Sequence, residues 1–86
     1  MENIIGSLAK SKAGHDKNEI YIIISEDKEY VYLSDGRLKM LGCLKKKNKK
    51  HIQLIRNKDV DFASKVRDGS ITDEEIKRCI KLYKRR

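Results

Sequence analysis

Hydrophobic and polar positions along this chain follow two periods, and the change comes just after residue 56. Before it, apolar residues fall in short runs. Residues 4–11 (IIGSLAKS) read as a first strand, in which Gly6 marks either a bulge or a close backbone approach. Residues 12–18 (KAGHDKN) are a polar loop, with Gly14 placed where a tight turn needs positive φ. Residues 19–25 (EIYIIIS) are β-branched and nearly continuous in apolar character, which predicts a strand covered on both faces. Glu26-Asp27-Lys28 is a turn. Residues 30–33 (YVYL) alternate, with Val31 and Leu33 on one face and both tyrosines on the other. Asp35-Gly36 between apolar runs predicts a type I′ hairpin, whose central positions need positive φ. It leads into a fourth strand over 38–41, and 52–55 is the fifth. Five short strands with tight connections predict a small barrel, which also removes exposed edges.

Beyond Arg56 the period becomes helical. Residues 61–68 (DFASKVRD) read as a short helix stopped by Gly69. Thr72-Asp73-Glu74-Glu75 fits a capping box that opens a second helix. Its acids suit the positive end of the helix dipole, and Lys81, Lys84, Arg85 and Arg86 suit the negative end. Ile76, Cys79, Ile80 and Tyr83 fall at i, i+3, i+4, i+7 and form one apolar stripe, expected to pack on the barrel. The predicted fold class is therefore mainly β: a barrel over residues 1–57, with a helical extension over 58–86 packed against it.

Charge sharpens this picture. The chain has 86 residues and a formal net charge of +8. Residues 36–58 contain nine basic residues and no acid, while the remainder holds twelve basic and thirteen acidic residues. The excess thus sits in one segment, and a polyanion is its natural partner. Within that segment KKKNKKH (45–51) is expected to be an exposed loop, anchored by the strand residues Leu38, Met40, Ile52 and Leu54. The two cysteines, Cys43 and Cys79, are too few for a disulfide framework and read as reduced, inward-facing thiols of a cytoplasmic protein. The N-terminal residues lack the pattern of a signal peptide, and no apolar run reaches the roughly 20 residues of a membrane span.

Three pieces of the sequence carry a family resemblance. Residues 6–24 (GSLAKSKAGHDKNEIYIII), the Asp35-Gly36 turn, and the run Lys45-Lys46-Lys47-Asn48-Lys49-Lys50-His51 together resemble the short bacterial KOW-domain RNA-binding proteins. These are related to archaeal and eukaryotic large-subunit ribosomal proteins. The resemblance covers about residues 4–55; it departs from the pattern at His15, where Arg is expected, and at Leu44, where Pro is expected. It implies a five-stranded SH3-like (KOW) barrel and a non-catalytic role on ribosomal or other structured RNA. It also implies that the 12–18 loop touches RNA.

The expected RNA-binding residues are Lys12, His15, Lys17, Arg37, Lys39, Lys45, Lys46, Lys47, Lys49, Lys50 and His51. Lysines are point charges, so such a surface positions a nucleic acid more than it reads bases. Contact with about five to seven phosphates of a single strand predicts a log–log salt slope of about −3.5 to −5. Tyr30 and Tyr32 either stack on bases or pack under the C-terminal helix, and packing is the expectation. Tyr21 and Tyr83 are expected in or near the core. The pairs His15/His51 and Cys43/Cys79 lack the short spacing of a zinc site, so no metal or other cofactor is expected. No nucleotide-binding glycine motif or nucleophile–base pattern is present, and neither catalysis nor a small-molecule substrate is expected. The competing expectation is an adapter that docks a ribosomal or transcription-machinery protein through the 76–83 stripe. A nonspecific DNA-coating protein is the third.

Overall fold

The computed structural model describes residues 4–57 and 59–85. The first three residues and two of the basic residues counted above, Lys58 and Arg86, lie outside the described residues. Five strands form one antiparallel sheet: β1 (Leu8–Ser11), β2 (Ile20–Glu26), β3 (Tyr30–Ser34), β4 (Lys45–Asn48) and β5 (Ile52–Ile55). Their order is β4-β3-β2-β1-β5. Two helices follow, α1 (Val60–Asp68) and α2 (Asp73–Lys84). The mainly β character with a helical extension is as the sequence predicts. A single 3-10 turn, Lys49–His51, links the two edge strands, so the sheet curls back on itself. β4 and β5 do not pair, and the sheet stays open. Ile24 is an extra residue of β2 against β3, a bulge that bends the strand.

Alternation along β1 and β2 buries both faces, as the apolar run of β2 predicts. Leu8, Ile20 and Ile22 meet Phe62, Val66, Ile71, Ile76 and Ile80 of the helical extension. Ala9, Tyr21 and Ile23 turn the other way and pack with Val31 and Leu33, with Ile4 and Ile52 at the margin. The stripe on α2 is therefore a core face: Ile76 and Ile80 are buried, and Cys79 and Tyr83 pack half-buried on the same cluster. Gly6 is a close approach, because at φ +89° an added Cβ would lie 2.7 Å from Ala63 Cα on α1. β1 is correspondingly shorter than expected, and residues 4–7 turn into it.

Local signals in the extension hold closely. Asp59 caps α1 by accepting from the Phe62 amide at 3.0 Å, and Gly69 ends it at φ +84°. Thr72 caps α2: its hydroxyl accepts from the Glu75 amide at 3.2 Å and donates to the Glu75 carboxylate at 3.1 Å. Thr72→Ala should lower stability by about 1 kcal/mol, measured as a fall in the urea midpoint at constant slope. An unmoved midpoint would show that this cap contributes nothing.

Three expectations need correction. Residues 38–41 are not a strand, and Asp35-Gly36 is not a hairpin turn. The Asp35 carboxylate instead accepts from the amides of Arg37 (2.8 Å) and Lys39 (2.9 Å), and the Ser34 hydroxyl donates to the Lys39 carbonyl. These bonds close a local loop and divert the chain from the β3 edge. Leu38 is 85 % exposed and Met40 49 %, so neither anchors anything. Second, the lysine run is no loop: Lys45–Asn48 is β4 itself, paired with β3 in the register Val31↔Lys47 and Tyr32↔Lys46. Third, Cys43 is exposed, while Cys79 is half-buried.

Candidate nucleic-acid interface

A strand of lysines divides its cations between two faces. Lys45 and Lys47 share the face of Leu33 and Val31; Lys46 shares that of Tyr32. On the first face the ammonium groups converge on Asp16, in the loop between β1 and β2. Lys47 Nζ donates to Asp16 Oδ1 at 2.8 Å and to the Ala13 carbonyl at 2.9 Å, and Lys45 Nζ lies 3.3 Å from Asp16 Oδ2. Ser11 Oγ and Tyr21 OH donate to the same carboxylate at 2.9 and 3.0 Å. The Asp16 and Lys47 side chains are only 12 % and 11 % exposed. Burial alone would raise the Asp16 pKa, but the hydrogen bonds from Lys47, Ser11, Tyr21 and Lys45 outweigh it and hold the carboxyl well below the usual carboxylate range. Burial, and then the Asp16 carboxylate, push the Tyr21 phenol up.

This node fixes the 12–19 loop against β4. Gly14 (φ +88°) and Asn18 (φ +76°) supply the left-handed positions that let the chain fold around Asp16. His15 and Lys17, on either side of the inward Asp16, are exposed. At the start of the loop the Lys12 amide donates to the His51 carbonyl at 2.8 Å, so the loop and the 3-10 turn lie side by side. Lys12, His15, Lys17, Lys50 and His51 are exposed there together.

Two further cations are engaged differently. Lys49 Nζ donates to Glu26 at 2.7 Å. Lys46 Nζ sits 4.3 Å from the centre of the Tyr30 ring, a cation–π contact. Tyr30 and Tyr32 are half-buried on the outer side of β3 rather than under α2, and Tyr32 OH donates to Asp27 at 2.7 Å. Tyr21 is buried and Tyr83 half-buried, as expected. Arg37 and Lys39 do not join the 12–19 loop and the 3-10 turn; they lie on the 35–44 connection, which is pinned to α2 by the Leu41 amide donating to Asp73 at 2.8 Å. No described helix is long and apolar enough to cross a membrane.

No protein-family model matches this chain, and no curated protein matches it significantly. Of the lysines in the run, Lys45, Lys47 and Lys49 are partnered by acids, which leaves Lys46 and Lys50, with Lys12 and Lys17 from the neighbouring loop, without an ion pair among the described residues. Sequence reasoning missed Asp16. The available signal was that Asp16 is the sole acid of the 12–18 loop. Its lysine partners lie about thirty positions away, beyond the reach of any local pattern.

Proposed function

We propose that this chain is a non-catalytic RNA-binding protein, a small SH3-like barrel of the KOW type that docks on ribosomal or other structured RNA. The observation that carries this proposal is the Lys12 amide bonded to the His51 carbonyl at 2.8 Å. It joins the 12–19 loop and the end of the lysine run into one surface with Lys12, His15, Lys17, Lys50 and His51 exposed on it. The strand order β4-β3-β2-β1-β5, with a 3-10 turn between the edge strands, supports the SH3-like assignment. The lysines act by displacing counterions from phosphates, so the surface positions RNA and reads little sequence. The adapter reading rested on the 76–83 stripe, and that stripe is occupied by the core.

With three lysines of the run tied to acids and Lys46 turned to the face of Tyr32, Lys12, Lys17 and Lys50 carry the contact. On a short single strand the salt slope is then about −2, shallower than the bare lysine count implies. The test is fluorescence anisotropy with a labelled ribosomal-RNA hairpin. Lys12→Glu, Lys17→Glu and Lys50→Glu combined should weaken binding by at least about tenfold, with the thermal midpoint unchanged. Equal affinity of the triple variant and the wild type would sink the proposal, and equal affinity for DNA of the same length would favour the nonspecific alternative.

A further inference from the structure

A second basic surface lies on the helical extension. Between the 35–44 connection and α2 runs a groove of about 480 Å³, floored by the buried Ile20 and Ile80. One wall is α2, where Lys77, Lys81 and Lys84 recur at i, i+4, i+7, followed by Arg85. The other wall carries Arg37. Its position is set by the backbone: Gly36 (φ +73°) presses so closely on α2 that an added Cβ would meet the Asp73 carbonyl and come within 2.8 Å of Lys77 N. Asp35 and Glu19 also line the groove, but the Asp35 carboxylate is engaged by the Arg37 and Lys39 amides. The acids of α2 are likewise committed: Asp73 to Leu41, Glu75 to Lys65, and Glu74 to Lys77 at 3.3 Å. Lys81, Lys84 and Arg85 have no ion pair among the described residues.

The helix dipole accounts for cations in the last turn. It does not account for Arg37 on the opposite wall. We infer that this groove binds the phosphodiester backbone of a polyanion, as a second contact for the RNA proposed above. Lys77 to Lys84 spans about 10 Å along the helix axis, more than a single phosphate of a strand occupies. With Lys77 tied to Glu74, the other four cations, Arg37, Lys81, Lys84 and Arg85, still outnumber the two acids of the lining. RNA fits better than an acidic peptide because the two basic surfaces share one element. The loop that presents Lys12 and Lys17 to the 3-10 turn ends at Glu19, which lines this groove. One structured RNA lying across a molecule of 30 × 29 × 25 Å meets both surfaces, whereas a short single strand meets only the first.

The inference rests on the RNA-binding reading, and one experiment separates the two. Wild type, the combined Lys81→Glu and Lys84→Glu variant, and the Lys12/Lys17/Lys50 variant are titrated with an RNA hairpin of about 16 base pairs and with a short single strand. The groove variant should bind the hairpin at least about tenfold more weakly, with a salt slope shallower by about 2, and bind the single strand as wild type does. Arg37→Glu, on a different element, should also weaken the hairpin and spare the single strand, with a slope shallower by about 1, which protects the test if the helix variant fails to fold. Wild-type hairpin affinity in a folded groove variant and in Arg37→Glu would overturn the inference while leaving the RNA reading intact. No RNA binding by the wild type would overturn both. A polyglutamate peptide that binds in a groove-dependent way, with hairpin binding unaffected, would also overturn it in favour of an acidic protein partner.

Discussion

Asp16→Ala should destabilise the protein by about 3–5 kcal/mol, enough to unfold a large fraction of a chain this small. The size follows from what the substitution leaves behind. Lys47, 11 % exposed, loses the carboxylate it touches at 2.8 Å, and Lys45 loses its partner at 3.3 Å. Tyr21 OH and Ser11 Oγ lose an acceptor in the same step. A buried ion pair adds little over an apolar pair of the same shape, but half of one is costly because the remaining charge stays desolvated. Urea titration at pH 7 measures the loss, and a fall below about 1 kcal/mol would place Asp16 among ordinary surface acids. The pH dependence supplies a second check. The folded Asp16 carboxyl is held below its ordinary value, so the unfolded chain takes up its proton first. Its stabilisation is complete above the ordinary carboxylate pKa near 4, and it is lost as pH falls through the folded value. The wild type should weaken steeply below about pH 4, and Asp16→Asn should weaken less over the same window.

Gly36→Ala should cost about 3 kcal/mol, the sum of left-handed backbone strain and overpacking against a helix. The groups an added Cβ would meet, the Asp73 carbonyl and Lys77 N, belong to the α2 backbone and have no rotamer into which to withdraw. Either the 35–44 connection lifts from the helix or α2 shifts on its core. Both outcomes loosen the bond from the Leu41 amide to Asp73, and faster exchange of that amide is the local signature. Gly42→Ala is the control, since nothing lies within 4 Å of its added Cβ. Equal stability of the two variants would remove the close approach as a structural constraint.

Features set by short-range physics were legible in the sequence. The β2 run, the Thr72 cap, the stop at Gly69 and the inward stripe on α2 each depend on neighbours within about one turn or one strand. Of the candidate site, the sequence listed cations without their arrangement. Lys12, His15, Lys17, Lys50 and His51 are exposed on two segments joined by the bond from the Lys12 amide to the His51 carbonyl. Arg37 and Lys39 were grouped with them as cations of the same acid-free segment, and the 35–44 connection takes Arg37 to the groove beside α2. Lys45–Asn48 reads as a loop because lysine disfavours strands and repels its like neighbours. That penalty is removed by Asp16, the Tyr30 ring, and backbone pairing with β3.

Local periodicity and composition are enough to specify short strands followed by two helices, the helix face that turns inward, and a segment in which positive charge is concentrated. Which of those charges stay available depends on contacts that exist after folding. Periodicity is a property of one segment, whereas an ion pair is made by residues that folding alone brings together. Asp16 and Glu26 therefore take Lys45, Lys47 and Lys49 out of the basic run, and the curl of the sheet adds Lys12 and Lys17 to what remains.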